Sequence, residues 1–467
     1  MADSEIPSVP HNPAAAVPKN VCTVCGHIRA AGGRALLVGG CVRDLLLGRP
    51  PKEWDIEVFG LDAEQVERLF VGQIDFVGKS FGIYHFRHLP IDLGLPRRER
   101  CHGVGHRDFA VAVDPRLSPL EAAKRRDFTI NAIYLDPLGG ELLDPVGGLD
   151  DLKKKCLRAV SEQFSEDALR VLRAMQFIAR LNFDCDEDTL KKCRALTADN
   201  LSPERVFCEF RKLILHGRAI GHGLQFLYRC HWLRFFPELE SLCHCPQNAT
   251  FHPEGNVWEH VKAAMDVFAS IRSGMVENDA LVVGLAVLCH DLGKPCCTIW
   301  DGTGQPRARG HEMAGMAPAI ALLNRLRVPR KMVKEILPLV TWHMVPRTFA
   351  DRRLGCAAVR RLAWNVGRID RLLLVAHCDA WGRPPAIPDC TGEERLRKLA
   401  EEEGVLANPP QPLVRGRDLA QKFSLAPSPT MGKILALLFE DQLGGKFSSR
   451  EDGLCRAAEV IHALDSP

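Results

Sequence analysis

The chain has 467 residues, 46% hydrophobic and 25% charged, with a formal net charge of +3. That length suggests about three domains with ample apolar material for packed cores, while so small a charge rules out arguing for nucleic-acid binding from the chain as a whole; any such contact must come from local patches. Eighteen cysteines are scattered along the chain with no signal-peptide pattern at its start, which points to a reduced, cytoplasmic home.

The residues up to about 20 are rich in Pro and Ala and are expected to form a mobile tail. Cys22 and Cys25 have the spacing of half a zinc site, but no second such pair follows and Cys243-His244-Cys245 is poorly spaced, so no zinc is expected. Ala35–Val38 reads as a compact apolar strand, Gly39-Gly40 as a tight turn, and a helix begins near Val42 with Arg43 in its first turn. Glycines at a strand-to-helix junction let backbone N–H groups approach an anion, and the helix N-terminus adds partial positive charge. The next strand, Glu53-Trp54-Asp55-Ile56-Glu57-Val58-Phe59, alternates from Glu53 to Val58. Period two puts Glu53, Asp55 and Glu57 on one face and Trp54, Ile56 and Val58 on the other. Neighbours in the acidic row stand about 7 Å apart, close enough to clamp two divalent ions roughly 3.5–4 Å from each other, as phosphoryl transfer requires. Asp92, before the basic stretch Arg97-Arg98-Glu99-Arg100, is either a third carboxylate of this set or a plain surface acid.

Farther on, Arg125-Arg126-Asp127-Phe128-Thr129-Ile130-Asn131-Ala132 crowds two guanidinium groups, a carboxylate and an amide beside apolar partners. With Gly39-Gly40-x-Val42-Arg43-Asp44, Leu46-Leu47-Gly48 and the acidic strand, it resembles the class II tRNA nucleotidyltransferases and bacterial poly(A) polymerases, in family order and spacing. One departure stands out: the family's Asp-x-Asp is here Glu53-x-Asp55. Either Glu53 and Asp55 or Asp55 and Glu57 form the operative pair. The resemblance implies that these carboxylates are catalytic and bind Mg²⁺, that Gly39, Gly40 and Arg43 anchor phosphates, and that Arg126, Asp127 and Asn131 order the sugar and metal region.

A turn-rich boundary at Asp144-Pro145-Val146-Gly147-Gly148 closes this first domain, expected over 21–145, and a helical region is expected over 146–240. Within it a helix with Ser165 as N-cap places Asp167, Arg170, Ala174, Ile178 and Leu181 on one face. Taken alone, Asp167 and Arg170 are an i, i+3 ion pair worth about 0.2–0.5 kcal/mol. The resemblance implies more: Glu166-Asp167-x-x-Arg170-x-x-Arg173 matches the protein template that hydrogen-bonds the base edge of CTP or ATP, so that Asp167, Arg170 and Arg173 choose and steady the nucleotide. Local basic patches that could meet RNA are Lys153-Lys154-Lys155 with Arg158, Arg173 with Arg180, and Arg205 with Arg211 and Lys212.

Past Cys245-Pro246 the histidines take over. His260, His290-Asp291 and Asp379 follow the order of the HD-domain metal phosphohydrolases, a helical fold expected over 250–390. That likeness implies a divalent cation of unspecified identity held by His260, His290, Asp291 and Asp379, with His311 and His343 as ligands of a second and Lys294 neutralising a phosphate; such units also occur as scaffolds. The stretch Ala280–Cys289 is too short to cross a bilayer, which needs roughly 20 residues, so no membrane partner is expected. A short helical segment is expected over 400–467. The expected whole is α+β: a nucleotidyltransferase head with a mixed sheet, then helical RNA-binding and HD domains. Its implied reaction is template-independent CCA addition to a tRNA or other RNA 3′ end from CTP and ATP. Poly(A) synthesis, CC-only or A-only addition, and an inactive RNA-binding regulator are the alternatives; the regulator is disfavoured because no carboxylate of the acidic strand is missing.

Overall fold

The computed structural model describes residues 12–76, 82–101, 109–199 and 201–465. The chain divides into two compact units, 1–235 and 236–467.

The first unit is built on a seven-stranded mixed sheet. In chain order its strands and the adjoining hairpin are β1 (Arg34–Val38), β2 (Trp54–Phe59), β3 (Ile74–Phe76), β4 (Ile83–Phe86), β5 (Ile91–Gly94), β6 (Arg97–Cys101), β7 (Phe109–Val113), β8 (Tyr134–Leu135) and β9 (Leu142–Leu143). The sheet order is β3-β4-β5-β2-β1-β8-β9, and β6 with β7 form a separate hairpin. Only β2 and β5 pair in parallel; the other ladders of the sheet are antiparallel. Trp54, Ile56 and Val58 are buried as their alternation requires, packing the sheet while Asp55 and Glu57 take the other face. Glu53 falls one residue before β2 and is exposed, so the acidic row on the strand proper is shorter than its spacing suggested.

Helix α1 (Lys19–Ala30) packs on the sheet, and α2 (Gly40–Leu46) follows the glycine turn directly. Part of the expected tail therefore has regular structure: Pro13–Ala16 form a 3₁₀ turn capped by Asn12, and α1 begins at Lys19. Residues 1–11 lie outside the described residues. The helix expected after Ser165, α3 (Leu169–Leu181), starts later than predicted. Ser165 sits in a preceding 3₁₀ turn, Glu162–Glu166, and is not the cap; instead the Asp167 carboxylate accepts the Leu169 N–H at 3.0 Å. An Asp two residues before a helix does the capping work of Ser at least as well. Helix α3 packs between α4 (Pro203–His216) and α5 (Ile220–Arg229), where Gly223 lets the helices close: a Cβ there would stand 2.6 Å from the Met175 carbonyl.

The second unit is helical apart from a short hairpin, Ile299–Trp300 with Pro306–Arg307. Its core is the helix Glu277–Cys289, flanked by Val257–Ile271, Arg330–Trp342 and Ile369–Trp381. The apolar run is longer than the predicted Ala280–Cys289. Glu277–Cys297 has the length and hydropathy of a membrane span, but 83% of its most apolar window is buried inside the protein, which is the signature of a core helix. The C-terminal segment has a small core of its own, in which Val414, Leu419, Ile434, Leu438, Phe447 and Ala457 are buried together.

Candidate active site

Three strands line up a polar row. Asp55 on β2 stands opposite Asp92 on β5, and His85 on β4 stands opposite Asp92. Residues directly paired across strands share a sheet face, so the register itself brings the two carboxylates together, with His85 Nδ1 2.5 Å from Asp92 Oδ1. They border a cleft of about 350 Å³ whose rim includes Arg125 and Arg126. Gly39 has φ +80°, and a Cβ there would lie 3.0 Å from Asp55 Oδ2 and 3.5 Å from Arg126 Nη1. Glycine is required twice over, by the left-handed backbone and by the close approach of the carboxylate. Burial pushes the Asp55 acid upward; Arg126 opposes this, and the charges of Asp92 and Glu53 add to it. Two carboxylates forced together, the central one partly desolvated, form a donor set that a divalent cation relieves.

Glu57 shares the face with Asp55 but is already engaged. Its Oε2 accepts from Arg126 Nη2 at 3.0 Å and from the Tyr134 hydroxyl at 3.1 Å. Other predicted residues form a buried polar chain behind the cleft. Arg43, expected at a phosphate, is only 3% exposed and donates from Nη1 to Asn131 Oδ1 at 2.7 Å and from Nη2 to Asp44 at 2.8 Å. Asn131 Nδ2 donates to Asp127 Oδ1 at 3.0 Å, and Asp127 Oδ2 accepts from Arg173 Nε at 2.8 Å and Nη2 at 2.6 Å. Burial alone would raise the Asp127 acid, but Arg173, Asn131 and the Phe128 N–H together hold it below its ordinary value. Arg43 and Arg173 both lie over the ring of Phe177, at 5.1 and 5.5 Å from its centroid. The reason is geometric: α2, the Arg125–Ala132 segment and α3 converge, and their charges neutralise one another where water is excluded. Asp127, Asn131 and Arg173 thus tie the frame together.

At the start of α3, Arg170 donates from Nη1 to the Gln163 carbonyl and from Nη2 to the Arg125 carbonyl, both at 2.7 Å. Asp167 is paired with Arg205 Nη2 at 2.7 Å. The structure brings Asp167 and Arg170 within one helical turn and fixes each by a partner from a different segment.

The second unit gathers the other predicted ligands. His260 Nε2 lies 3.2 Å from His290 Nε2 and 3.1 Å from Asp379 Oδ1; Asp291 Oδ1 lies 3.3 Å from His311 Nε2, which is 3.3 Å from His343 Nε2. His260, His290 and Asp379 form one close group, and Asp291, His311 and His343 another. Each imidazole offers Nδ1 to a backbone carbonyl: His260 to Gly382, His290 to Val287, His311 to Ala308, His343 to Val340. With Nδ1 so committed, each ring turns its Nε2 inward and toward the others; burial works against a charge on His260 and His311, but the carboxylates of Asp379 and Glu254 beside His260 and of Asp291 beside His311 raise both. Facing lone pairs repel unless a proton or a cation stands between them. Burial, helped by the positive influence of His290, lowers His343 to about 3, so it is a neutral ring ready to ligate. Lys294, predicted to meet a phosphate, ion-pairs with Asp291 Oδ2 at 2.7 Å and donates to Gln247 at 2.7 Å. It lines a cavity of about 390 Å³ together with Arg347 and Arg383.

Four partners escaped the sequence reading. Glu254 Oε1 lies 2.8 Å from His252 Nδ1 and 2.9 Å from His260 Nδ1; burial works against its charge, but these two bonds hold its acid down at about 2. Arg383 Nη2 donates to Asp379 Oδ1 at 2.5 Å. Tyr134 and Arg205 complete the first unit's networks. Arg383, four residues from Asp379, and Glu254, two residues from His252 and six from His260, are local in sequence; Tyr134 and Arg205 act across long sequence separations.

A family described as "Poly A polymerase head domain" matches residues 35–158, and one described as "Probable RNA and SrmB-binding site of polymerase A" matches residues 182–243. A multifunctional CCA protein of Xylella fastidiosa (strain M23) is 34% identical over 397 residues, covering 81% of this chain and 86% of that protein. One from Xanthomonas campestris pv. campestris (strain B100) is 38% identical over 363 residues, covering 74% and 85%. In fold, the chain is similar to the crystal structure of a Bacillus stearothermophilus CCA-adding enzyme in complex with CTP, with a TM-score of 0.66 and 21% identity over 96% of this chain and 98% of that one. It is also similar to a Thermotoga maritima CCA-adding enzyme complexed with tRNA, with a TM-score of 0.59 and 18% identity over 98% and 99%. A carboxylate pair set by strand register, a glycine turn beneath it, a helix of paired Asp and Arg, and this extent of identity place the chain in the CCA-adding nucleotidyltransferase family.

Proposed function

We propose that the chain adds CCA, without a nucleic-acid template, to tRNA 3′ ends from CTP and ATP. The observation that carries this reading is Asp55 held in register with Asp92 above Gly39, with Arg126 alongside. Asp55 and Asp92 are the residues suited to holding Mg²⁺, with Glu53 close enough for its charge to be felt at Asp55. Bound there, the ion would lower the pKa of the RNA 3′-hydroxyl and neutralise the triphosphate. The chain's own residues do the rest. The Gly39-Gly40 turn opens backbone N–H groups to the phosphates, and Arg126 supplies a guanidinium beside them. Asp167 and Arg170 carry the acceptor and donor groups suited to the amino and ring-nitrogen edges that cytosine and adenine share, and in this structure they are held by Leu169 and Arg205 and by the Gln163 and Arg125 carbonyls. The Asp127–Arg173 pair ties α3 to the segment that carries Arg126.

The test is to incubate the protein with tRNA lacking CCA, tRNA ending in CC and an unrelated RNA, supplying CTP and ATP separately and together, and to size the products. Addition of a discrete CCA to tRNA alone is expected. Long A tails on any RNA would replace this reading with poly(A) synthesis, and tight binding without extension with a regulator.

A second activity is supported by the facing Nε2 atoms of the second unit. We infer that His260, His290, Asp291 and Asp379 hold a divalent cation, with His311 and His343 available to another, in an HD-type phosphohydrolase acting on phosphomonoesters or cyclic phosphates such as damaged RNA ends. Lys294, Arg347 and Arg383 give its cavity the charge a phosphate needs. Metal analysis after dialysis, followed by phosphate release from such ends, checks it. In domain terms this reading divides the chain into a head to about 145, a nucleotide-selecting region over 146–240, the HD-type unit over 250–390 and a terminal segment over 400–467. Its thiols, unpaired among the described residues, suit the reducing cytoplasm.

A further inference from the structure

Among the described residues, Arg126 is held on the side of Glu57 and Tyr134. Nη2 donates to Glu57, Nε is buried with no hydrogen-bond partner among the described residues, and Nη1 comes within 3.5 Å of the point above Gly39 that Asp55 Oδ2 approaches to 3.0 Å. The guanidinium lies 5.8 Å from the Tyr134 ring centroid, and the Tyr134 hydroxyl donates to the same Glu57 oxygen that Arg126 uses. Glu57 is therefore saturated on Oε2 by two donors, and its side chain is only 13% exposed. A carboxylate so occupied is poorly placed to ligate metal, but it is well placed to decide where Arg126 points. Remove it, and Asp55, whose oxygen approaches the same point and whose acid already feels the Arg126 charge, is open to the freed guanidinium.

We propose that Glu57 is a positioning residue for nucleotide transfer: backed by Tyr134, it anchors one edge of Arg126 so that the other faces the incoming triphosphate, and it keeps Arg126 from collapsing onto Asp55. The inference rests on the nucleotidyltransferase reading above and adds to it a residue whose spacing alone suggested a metal ligand. A neutral side chain at 57 would let Arg126 turn toward Asp55, removing a phosphate donor from the cleft.

The experiment compares the full-length parent with Glu57→Ala, Glu57→Gln and Tyr134→Phe in two measurements: equilibrium dialysis of CTP in EDTA, and CTP incorporation into tRNA lacking CCA with Mg²⁺. In EDTA, Glu57→Ala is expected to weaken CTP binding about tenfold, the loss of one charge-assisted bond. Glu57→Gln, which keeps an acceptor, is expected to lose about threefold, and Tyr134→Phe less, by the ordinary strength of neutral hydrogen bonds. With Mg²⁺, the KM for CTP is expected to rise more than kcat falls. If metal-free CTP binding is unchanged or tighter in both Glu57 variants while kcat collapses as in Asp55→Asn, Glu57 is a ligand and the proposal is wrong. Circular dichroism guards against misfolding; should Glu57→Ala unfold, Tyr134→Phe decides, since weaker CTP binding at an unchanged melting temperature supports the proposal and parental binding overturns it. A parent that neither binds CTP nor extends tRNA would instead refute the nucleotidyltransferase reading itself.

Discussion

In the first unit, Arg173, Arg43 and Arg126 neutralise Asp127, Asp44 and Glu57, and Asp55 and Asp92 are left facing a cleft. In the second unit, four imidazoles and two aspartates turn on one another, all of them buried. The contrast shows two ways to prepare for charge. An open cleft framed by guanidinium groups suits a substrate that arrives with its own phosphates and leaves as product. A closed ring of inward lone pairs suits a cation that stays. On the reading proposed above, the frame residues of the cleft act on stability and the residues of the cluster on metal content.

The largest separation is expected from exchanging single carboxylates between the two centres. Asp55→Asn should reduce CTP incorporation by about a thousandfold, the scale of losing a metal-binding or charge-stabilising group, and leave phosphate release by the second unit at parental level. Asp291→Asn should do the reverse, abolishing phosphate release and lowering bound metal while tRNA extension persists; loss of both activities in either variant would erase the distinction. Next comes the frame. Asp127→Asn leaves Arg173 without its counter-charge and should destabilise the protein by about 3 kcal/mol, as breaking a buried pair does, seen as a lower urea midpoint. Gly39→Ala should cost about tenfold in turnover with only about 1 kcal/mol of stability, because strain at a positive φ is local; a parental rate would show that the turn is mere geometry.

The smallest effect sharpens the other side. Glu393, in the helix Thr391–Glu402, is held up at about 7 by burial, against the pull of Arg347. Its ordinary value is 4.5. Between about 4.5 and about 7 the unfolded chain therefore binds fewer protons at this group than the folded chain, so stability falls as pH rises through that window. Glu393→Gln removes the dependence and should raise the melting temperature of the second unit at pH 8 by about 2–4 °C, and by less at pH 5, on the usual scale for a domain of this size.

Much of the cleft was legible because its signals are local. Alternation in the β2 segment correctly separates buried Trp54, Ile56 and Val58 from Asp55 and Glu57, and Gly39 announces a turn that only glycine makes. The strand end was less legible: Glu53 continues the alternation in sequence but precedes the ladder, since pairing with β5 begins at Trp54 opposite Ile91. Ser165 failed as a cap because the intervening 3₁₀ turn moves the helix start to Leu169, where Asp167 can reach the N–H. Arg43 looked like a phosphate anchor from its place in the first turn, yet Asn131, 88 residues away, claims it. The imidazole ring of the second unit could be named residue by residue from its order along the chain, but Glu254, which orients His260, could not.

Composition, period and motif order determined the α+β class, the glycine turn, the acidic face and the roster of histidines, since each follows from backbone geometry or from spacing within one element. The tertiary structure alone decided which acids face each other. Asp92 becomes Asp55's partner through the parallel pairing of β2 with β5, and Glu57, on the same face as Asp55, is engaged by Arg126 and Tyr134. Coulomb attraction and hydrogen bonding act over a few ångströms, and residues far apart in sequence come within that range only once the sheet and helices have packed.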